Sequence, residues 1–233
     1  MNHKNIPQHV AIIMDGNRRW AKKHLLNLVD GHKKGSENIK NICKECIDIG
    51  VKKLTIYAFS TENWSRESDE IKYLTKLMMD YLSSSDVDEM LQSGVVFKVI
   101  GDPKSFGNDL YKKIINLENK SVMQNGGEKS IQLNIALSYG AKDEITRSVN
   151  YFLLHNSNIT SITIDDITNN LDESSPVDLL IRTGGDFRMS NFLLWQAAYA
   201  ELFFTKTLWP EFTKTDLLVA IDFFQQQKRN FGC

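Results

Sequence analysis

Six short apolar runs recur along this chain, and segments with helical periodicity separate most of them. One such segment, residues 70–82, carries its apolar side chains at spacings of three and four, on one side of a helix. Strands that alternate with helices are typical of a mostly parallel sheet covered by helices on both faces. The predicted strands are residues 10–14, 54–59, 95–100, 131–136, 177–181 and 200–204. We therefore predict a single α/β domain over residues 1–233, with about six strands.

Length and charge limit the classes of function that the chain can have. A chain of 233 residues can bury a large core without disulfides. Its 28 basic residues are balanced by 29 acidic ones, so the chain as a whole is not predicted to bind nucleic acid. Any affinity for phosphate must come from small arginine clusters. The polar stretch 155–175 is predicted to be a surface loop with a short helix.

The cysteines and the absence of targeting segments predict a cytoplasmic protein. The first residues lack the apolar part of a signal peptide, and no run approaches the ~18 apolar residues of a membrane span. Three cysteines, an odd number, fit a reducing compartment. Cys43 and Cys46 form a C-x-x-C pair within a predicted helix, residues 33–49. We interpret them as two helix residues one turn apart rather than a redox or zinc site.

Four polar segments directly follow predicted strands. They are residues 15–19 after the first strand, 60–66 after the second, 138–140 after the fourth and 182–188 after the fifth. The carboxyl ends of parallel strands meet at one edge of a sheet, where ligands bind in such folds. We therefore expect the four segments to line one shared crevice.

The first segment combines one carboxylate with groups that bind phosphate. Asp15 emerges at the end of the first strand, and Gly16-Asn17 can turn the backbone so that its N–H groups face an anion. Arg18 and Arg19 add positive charge. A carboxylate among phosphate-binding groups suggests a bridging divalent cation.

The segment after the fifth strand resembles a second phosphate cradle. Arg182 and Arg188 flank Gly184-Gly185, and Ser190 follows. The glycines permit close backbone approach, and planar guanidinium groups bind phosphate oxygens in pairs. The alternative is a Gly-Gly turn with arginines in surface ion pairs. Neither cradle matches the standard nucleotide-binding motifs.

Three weaker signals are ambiguous at this point. Residues 62–66 offer an acid, an amide and an arginine, a combination that is more often an ordinary loop. Glu201 follows a predicted helix, residues 191–199, and lies inside an apolar run, so its carboxylate needs either an ion-pair partner or a metal. His32 follows Gly31 at an apparent helix start, where a histidine either meets phosphate or packs.

Long motifs of this chain resemble those of the cis-prenyltransferases, and in particular the bacterial undecaprenyl diphosphate synthases. The resemblance runs in order through nearly the whole chain. It is carried by His-Val-Ala-Ile-Ile-Met-Asp-Gly-Asn at 9–17, Arg19-Trp20, Gly31-His32-Lys33, Tyr-Ala-Phe-Ser-Thr-Glu-Asn-Trp-Ser-Arg at 57–66, Ile-Arg-Thr-Gly-Gly at 181–185, Ser-Asn-Phe-Leu-Leu-Trp-Gln at 190–196 and Tyr-Ala-Glu-Leu at 199–202.

This resemblance implies a homodimer with a six-stranded parallel core. It implies an enzyme that condenses isopentenyl diphosphate with farnesyl diphosphate to make a long-chain polyprenyl diphosphate, undecaprenyl diphosphate, the precursor of the cell-wall lipid carrier. It also implies Mg²⁺ as the cofactor, with Asp15 as catalytic residue and metal ligand. Glu201 is implied as a further metal ligand that the partner subunit could supply. Peripheral contact with a membrane would accompany release of the product.

The resemblance also assigns residues to the two substrates. The allylic diphosphate is expected at Gly16, Asn17, Arg18, Arg19, Trp20 and His32. The isopentenyl diphosphate is expected at Arg182, Arg188, Met189 and Ser190. The residues expected to shape the site are Ser60, Thr61, Glu62, Trp64 and Arg66.

Two expectations concern the chemistry. The family often assigns proton removal to the position of Asn63, but a neutral carboxamide is too weak a base. We expect Asn63 to position the substrate and Asp15, or a diphosphate oxygen, to accept the proton. The growing chain needs a hydrophobic tunnel, whose wall is expected on the apolar side of residues 70–82, with residues 95–100 nearby. Ordinary core packing is the alternative for any single residue there.

The chain departs from the usual bacterial pattern at three positions. Arg18 stands where a glycine is common, whereas Leu28 and Asn230 stand where arginines are usual, although Arg229 adjoins the latter. A charge-assisted hydrogen bond is worth roughly 1.5 to 3 kcal/mol. We hypothesise that Arg18 replaces the cation missing at position 28.

Other functions compete with this one. A cis-prenyltransferase of another product length is the second enzymatic candidate. A non-catalytic subunit that binds diphosphates or prenyl chains is a candidate of a different class. Such subunits lose the aspartate and part of the arginine set, whereas Asp15, Arg182, Arg188 and Glu201 are all present here.

Overall fold

Six strands and eight α-helices occur in the residues that the computed structural model describes, which are 5–125, 130–156 and 160–228. The strands are β1 (His9–Ile13), β2 (Lys53–Ser60), β3 (Val95–Gly101), β4 (Ile131–Tyr139), β5 (Leu179–Arg182) and β6 (Glu201–Phe204). The helices are α1 (Asn17–Lys23), α2 (Leu28–Ile49), α3 (Ser68–Tyr81), α4 (Ser85–Gln92), α5 (Asn108–Asn125), α6 (Ala141–His155), α7 (Ile164–Thr168) and α8 (Lys214–Gln226). None of these helices has both the length and the apolar composition needed to span a bilayer.

The strands form one sheet in the order β3–β4–β2–β1–β5–β6, and all of its pairings are parallel. The predicted α/β fold with a six-stranded parallel sheet flanked by helices is therefore confirmed. Every residue of the central strand β1 is buried, because helices and loops cover both faces of the sheet. This burial explains why its sequence is a continuous apolar run.

Alternate residues of β1 enter two separate hydrophobic cores. Val10 and Ile12 belong to the larger core, with residues of α2, α3, α4, α5 and α8. Ala11 belongs to the smaller core on the other face, together with Phe192 and Leu193. The larger core is the side on which the site described below has its apolar part.

The chain leaves the neighbouring strands β1 and β5 in opposite directions. The next strand after β1 is β2 on one side, whereas β5 is followed by β6 on the other. The loops after β1 and β5 therefore diverge and leave a crevice at the carboxyl edge of the sheet. Asp15 comes just after β1, and Arg182 is the last residue of β5. These two residues thus mark the centre of the crevice.

Helix α2 begins earlier than predicted, at Leu28 instead of residue 33. Asn27 and Asp30 form a capping box at its start, a signal that apolar periodicity does not contain. Cys43 and Cys46 are both free and buried in this helix, and burial raises the pKa of each thiol, that of Cys43 to about 12. The interpretation of the C-x-x-C pair as structural helix residues is confirmed.

The predicted helix over residues 191–199 is wrong, since this segment is a series of turns. Asn191 and Leu193 have φ angles of +60° and +46°, which a right-handed helix does not contain. Contacts with the start of α6 hold this conformation. The Asn191 carbonyl accepts a hydrogen bond from the backbone N–H of Ala141 (2.8 Å), and its side-chain oxygen accepts one from that of Lys142 (3.0 Å).

Two other predicted segments are only partly described. The polar stretch 155–175 contains the short helix α7, as predicted, but residues 157–159 lie outside the described residues. Arg229, Asn230 and Cys233 also lie outside them.

Candidate active site

The four polar segments lie at the carboxyl edge of the sheet, as predicted. They follow or complete the neighbouring strands β4, β2, β1 and β5, so they form a continuous row. Ser138 and Tyr139 belong to β4 itself, which is three residues longer than its apolar run. Arg182 likewise belongs to β5 rather than to the loop after it. The shared crevice therefore spans four adjacent strands.

The Asp15 carboxylate meets one guanidinium on each of its oxygens. Its Oδ1 lies 2.8 Å from Nη2 of Arg19, and its Oδ2 lies 2.9 Å from Nη2 of Arg182. Partial burial acts to raise the pKa of Asp15, but the hydrogen bonds from Arg182 and Arg19 outweigh it and hold the pKa below its usual value. Asp15 is thus a charged carboxylate at neutral pH.

Arg182 is buried and joins the two cradles. Its Nη2 contacts Asp15, while its Nη1 donates to the carbonyl of Arg188 (2.5 Å) and to the hydroxyl of Ser190 (2.7 Å). The residue is 4% exposed, and its Nε has no hydrogen-bond partner within the described residues. A guanidinium held in this way is a preorganised positive charge at the floor of the crevice.

Gly184 lets the two loops touch. Its φ is +88°, and a Cβ at this position would lie 2.5 Å from Nη2 of Arg19 and 3.1 Å from the backbone of Asp15. With no side chain in the way, Arg19 donates from Nη1 to the Gly184 carbonyl. This is the close backbone approach that the Gly-Gly pair predicts, and it leaves no room for a larger residue.

Asp186 is a member of the crevice that the sequence pattern alone did not identify. Its Oδ1 lies 3.0 Å from Nη1 of Arg188, and its Oδ2 lies 3.3 Å from Nη2 of Arg19 and 3.7 Å from Nη2 of Arg182. Three arginines therefore surround the two carboxylates of Asp15 and Asp186. The available signal was an acidic residue directly after the glycine pair.

Asn17 fits into a slot formed by two glycines of α2. A Cβ at Gly35 would lie 2.2 Å from Oδ1 of Asn17, and one at Gly31 would lie 2.2 Å from its carbonyl oxygen. The amide Nδ2 donates to the carbonyl of Met14 (3.3 Å). Its Oδ1 is buried and has no hydrogen-bond partner among the described residues. Because buried polar atoms are nearly always paired, this acceptor is available to a water or a ligand.

His32 lies in α2 between the same two glycines. Its Nε2 is also buried and unpaired in the described part of the chain. Burial, together with the positive charges of Arg66 and Arg18, lowers the pKa of His32 to about 4. The imidazole is therefore neutral at pH 7. A bound anion would oppose the effect of the two arginines and favour the protonated ring.

The remaining predicted residues of α1 differ in their surroundings. Arg18 is exposed, and within the described residues it makes no hydrogen bond or ion pair. It is close enough for its charge to act on His32. Trp20 stacks against His24, with ring centroids 4.5 Å apart. Arg18 is thus available to a ligand, whereas Trp20 is partly covered.

The segment after β2 is a short 3-10 helix, Thr61–Ser65. Its side chains make hydrogen bonds to its own backbone and to the neighbouring strand. Oδ1 of Asn63 accepts a hydrogen bond from the backbone N–H of Ser60 (3.1 Å). Nε1 of Trp64 donates to the hydroxyl of Ser138 (2.9 Å) in β4. Asn63 therefore caps the segment, and Trp64 ties it to the neighbouring strand.

This segment is also connected to the loop after β5 and to α3. Oε1 of Glu62 accepts a hydrogen bond from Nδ2 of Asn191 (3.0 Å). Oε2 of Glu62 accepts one from the hydroxyl of Thr61 (3.2 Å), and Nη1 of Arg66 lies 3.0 Å from Oε1 of Glu70. Met189, by contrast, packs against the smaller core.

An apolar cavity lies beside the crevice and opens to solvent; the empty space within it and at its mouth is about 790 Å³. Asn17 and His32 line both. Helix α3 contributes Leu77 and Met78, from the apolar side of the predicted 70–82 helix. The other lining residues, from the sheet, α2, α3 and the segment after β6, are Met14, Gly35, Ser36, Ile39, Ile56, Ala58, Phe59, Leu74, Tyr81, Leu82, Val99, Ile135, Leu137 and Trp209. A polar crevice and an apolar cavity therefore adjoin at α1 and α2.

The predicted metal ligands Asp15 and Glu201 do not come together within one chain. Glu201 begins β6 opposite Leu179, whereas the carboxyl end of β5, Arg182, lies opposite Phe204. Three strand positions correspond to about 10 Å. Over the described ranges, no group of three His, Cys, Asp or Glu residues is arranged to hold a metal ion.

Comparison with known sequences identifies relatives over the full length. A family model described as putative undecaprenyl diphosphate synthase matches residues 13–232. The chain is 42% identical to an isoprenyl transferase of Wolinella succinogenes, over 100% of this chain and 99% of the relative. It is 41% identical to an isoprenyl transferase of Aquifex aeolicus, over 97% of this chain and 96% of the relative.

Solved structures agree with the sequence relatives. A lavandulyl diphosphate synthase from Lavandula x intermedia, in complex with dimethylallyl diphosphate, superposes with a TM-score of 0.89 at 32% identity, covering 98% of this chain and 99% of its own. A probable undecaprenyl diphosphate synthase from Campylobacter jejuni gives a TM-score of 0.80 at 33% identity, covering 98% and 100%. With this fold, these motifs and these relatives, the chain belongs to the undecaprenyl diphosphate synthase family and is a prenyltransferase.

Proposed function

We propose that this protein condenses isopentenyl diphosphate units with farnesyl diphosphate, in the cytoplasm, to make a polyprenyl diphosphate of undecaprenyl length. The observation that carries the proposal is the pairing of an arginine-lined crevice with an adjoining apolar cavity. A substrate with a diphosphate head and a growing apolar tail needs both environments side by side. The names of the relatives support the same class of reaction.

A cis-prenyltransferase with a shorter product is the second candidate. The neighbour with a TM-score of 0.89 is a lavandulyl diphosphate synthase bound to dimethylallyl diphosphate, so the same fold also serves a different product. The choice between the two depends on how long a chain the cavity accepts. We favour the longer product because the matching family model and one structural neighbour are described as undecaprenyl diphosphate synthases.

The two diphosphates would occupy different halves of the crevice. We assign the allylic diphosphate to the side of α1 and α2, where the unpaired atoms of Asn17 and His32 lie beside the exposed Arg18. We assign the isopentenyl diphosphate to the loop after β5. The residues of the allylic half are Gly16, Asn17, Arg18, Arg19, Trp20 and His32. The residues of the other half are Arg182, Arg188, Met189 and Ser190, and those that shape the site are Ser60, Thr61, Glu62, Trp64 and Arg66.

The reaction breaks the allylic carbon–oxygen bond, and the electron pair leaves with the diphosphate. The double bond of isopentenyl diphosphate supplies the electrons of the new carbon–carbon bond, and a proton is then lost. Negative charge therefore grows on the departing diphosphate, where Arg19 and the backbone N–H groups after Asp15 stabilise it. Arg182 holds the other diphosphate in place without having to move, because its own contacts already fix it.

Asn63 is assigned a positioning role. Its Oδ1 accepts the backbone N–H of Ser60, so the amide is engaged in shaping the segment that faces the substrates. A neutral carboxamide cannot take a proton at useful rates. We assign the proton to the Asp15 carboxylate, whose low pKa keeps it ionised, or to a diphosphate oxygen.

Magnesium fits the donor set at the centre of the crevice. Mg²⁺ is usually bound by one or two carboxylates together with substrate phosphate oxygens rather than by an all-protein cage. Asp15 supplies such a carboxylate among phosphate-binding arginines. The ion, when bound, would neutralise charge on the diphosphate oxygens.

We further propose that the protein acts as a homodimer. β6 is an edge strand that contains the partly exposed Leu202 (38%). Two further apolar side chains near it are exposed, Phe187 by 71% and Tyr199 by 80%. An uncovered strand edge with apolar neighbours is a common site of pairing between chains. In a dimer, Glu201 of one subunit would approach the crevice of the other and serve as its metal ligand.

The decisive experiment is incubation of the purified protein with farnesyl diphosphate, isopentenyl diphosphate and Mg²⁺, followed by chromatographic sizing of the dephosphorylated product. We expect a product of undecaprenyl length and no product when Mg²⁺ is chelated. A shorter product would select the second candidate. No product from the wild-type protein, under conditions in which an isoprenyl transferase relative is active, would favour a non-catalytic binding subunit.

A further inference from the structure

The connection between α1 and α2 exposes an unusual set of apolar side chains. Leu25 is 95% exposed, Leu26 46%, Leu28 42% and Val29 37%. We call these four residues the leucine tip. Single exposed leucines are normal on protein surfaces, but contiguous apolar groups at a protruding turn mark a contact with something else.

The backbone conformation at Leu25 favours glycine, so the fold does not account for a leucine at this position. α1 ends in a Schellman motif, in which the N–H of Leu26 bonds to the carbonyl of Ala21 (2.9 Å) and that of Leu25 to the carbonyl of Lys22 (3.2 Å). Leu25 occupies the left-handed position of this motif, with a φ of +56°, where glycine is preferred. A leucine here is conformationally unfavourable and almost fully exposed. Its side chain therefore makes little contact with the rest of the described fold.

Basic residues flank the leucine tip, whereas the acidic residue Asp30, next to Val29, is engaged by the backbone N–H of Asn27 in the capping box. Lys22 precedes it, and Lys33 lies one turn after Val29 on the same side of α2. Both lysines are exposed, and in the described part of the chain no carboxylate lies within ion-pair distance of either. Lys23 and His24 share a single carboxylate, that of Glu211. The chain as a whole has a net charge of −1, so this local positive charge is not a result of composition.

The tip also adjoins the cavity that would hold the prenyl chain. The same helix α2 carries the tip residues Leu28 and Val29 and, within its next two turns, the cavity residues His32 and Ser36. The hydroxyl of Tyr73, in α3, contacts the carbonyl of Val29 (3.4 Å), so both helices that line the cavity meet at the tip.

We propose that the leucine tip inserts into the interfacial region of a bilayer that contains anionic phospholipids. Exposed apolar side chains ringed by lysines fit that environment, because the apolar groups enter the acyl boundary while the lysines meet the headgroups. The side of α1 and α2, to which we assign the allylic diphosphate, would then lie at the level of the lipid headgroups. Only the purpose of this contact, delivery of a lipid product, rests on the proposed function; the contact itself does not.

The test is co-sedimentation of the full chain with vesicles, without substrates. Vesicles of phosphatidylcholine alone are compared with vesicles that contain phosphatidylglycerol as well. The double variant Leu25→Ser, Leu26→Ser, called the tip variant, replaces the two most exposed apolar side chains of the leucine tip. Val122→Ser, Met123→Ser is the matched control, because these neighbours in α5 are also exposed, by 58% and 87%. We expect at least a tenfold loss of binding in the tip variant and less than a twofold change in the control.

A variant with reversed charges separates the electrostatic part of vesicle binding from the apolar part. Lys22→Glu, Lys33→Glu should weaken binding to the phosphatidylglycerol vesicles by at least fivefold for each lysine, because each contributes about that factor near an anionic surface. It should leave the weak binding to phosphatidylcholine unchanged. Thermal unfolding of every variant is measured as well. Unfolding midpoints equal to that of the wild type show that a loss of vesicle binding comes from the changed surface and not from unfolding.

Three results would overturn the proposal. The first is a wild-type protein that does not sediment with phosphatidylglycerol vesicles. The second is an equal loss of binding in the tip variant and in the α5 control. The third is a change in molar mass by light scattering when the tip is replaced, which would make the tip a contact between copies of this chain. Since the assay contains no substrate, each of these results leaves the proposed prenyl transfer untouched, and an inactive enzyme that still binds vesicles leaves this proposal intact.

Discussion

The guanidinium of Arg182 bridges Asp15 and Ser190, so one buried side chain connects the loop after β1 with the loop after β5. The carboxylate contact lies on Nη2 and the hydroxyl contact on Nη1. Only a planar, forked cation can make both contacts at once. The relative position of the two diphosphates in the proposed reaction is therefore set by the geometry of this one residue.

Replacement of Arg182 by lysine should raise the KM for isopentenyl diphosphate by about 10- to 100-fold, because a single ammonium group loses one of the two charge-assisted contacts. Steady-state kinetics with each substrate varied in turn measures the effect. Arg147→Lys is the control, since Arg147, on α6, pairs with Asp143 and Asp172 and belongs to neither half of the crevice. Equal effects of the two substitutions would contradict the bridging role of Arg182.

Gly184→Ala should reduce activity far more than stability. A Cβ at Gly184 would lie 2.5 Å from the Arg19 guanidinium, whereas at Gly50, whose φ of +100° is similar, its nearest neighbour would be Cδ1 of Ile6 at 3.8 Å. The unfavourable backbone conformation costs roughly 1 to 2 kcal/mol in either variant. We expect similar losses in unfolding free energy, measured with urea, but a loss of turnover only in Gly184→Ala. Equal activity of the two variants would show that Arg19 adapts without consequence.

Asn63→Asp should retain a rate within a few-fold of the wild type, with the same pH profile. An aspartate keeps the oxygen that accepts the N–H of Ser60, so the segment after β2 stays capped. Asn63→Leu removes the acceptor and should cost about 1 kcal/mol of stability and most of the activity. A pH profile that changes in Asn63→Asp would count against a purely positional amide, and would point to proton transfer at this residue.

Arg18→Gly should weaken farnesyl diphosphate binding, with a KM raised by about 10- to 100-fold. This follows if Arg18 replaces the cation missing at Leu28. The same substitution should raise the pKa of His32 from about 4 toward its usual value, because Arg18 is one of the two cations that lower it after burial. NMR titration of His32 measures this shift. Lys22→Gly, on the same helix, is the control, and an unchanged KM in Arg18→Gly would reject the hypothesis.

Leu77→Trp and Met78→Trp should shorten the product, because both side chains line the apolar cavity. A larger ring there fills space that the growing chain would occupy. Lys76→Trp is the control, since Lys76 is exposed on the same helix and does not line the cavity. If product length is the same in all three variants, α3 does not form the wall of a tunnel.

The sheet and the crevice were predictable for a simple reason. The strands are rich in apolar residues, and polar residues cluster at their carboxyl ends, as with Asp15 shortly after β1. The positions of Arg19 and Gly184 against each other were not predictable, because they depend on how two loops distant in sequence meet. Asp186 was missed for the same reason.

The errors also have physical causes. The turns at Asn191 are set by the start of α6, a partner that local periodicity cannot contain. Leu28 begins α2 because Asn27 and Asp30 cap it, although no apolar pattern marks that position. The apolar run at residues 200–204 predicted a strand that contains Glu201. It gave no information on how far along the strand axis Glu201 lies from Asp15.

The slot that Gly31 and Gly35 form for Asn17 has a consequence for how such enzymes can diversify. Helix α2 lines the cavity and also holds Asn17, which we assign to the allylic diphosphate, so substitutions at these glycines should alter recognition of the head and the tail together. Helix α3 carries Leu77 and Met78 into the cavity from the opposite wall. Changes in product length during evolution should therefore accumulate on α3, while the facing turn of α2 stays constrained by chemistry.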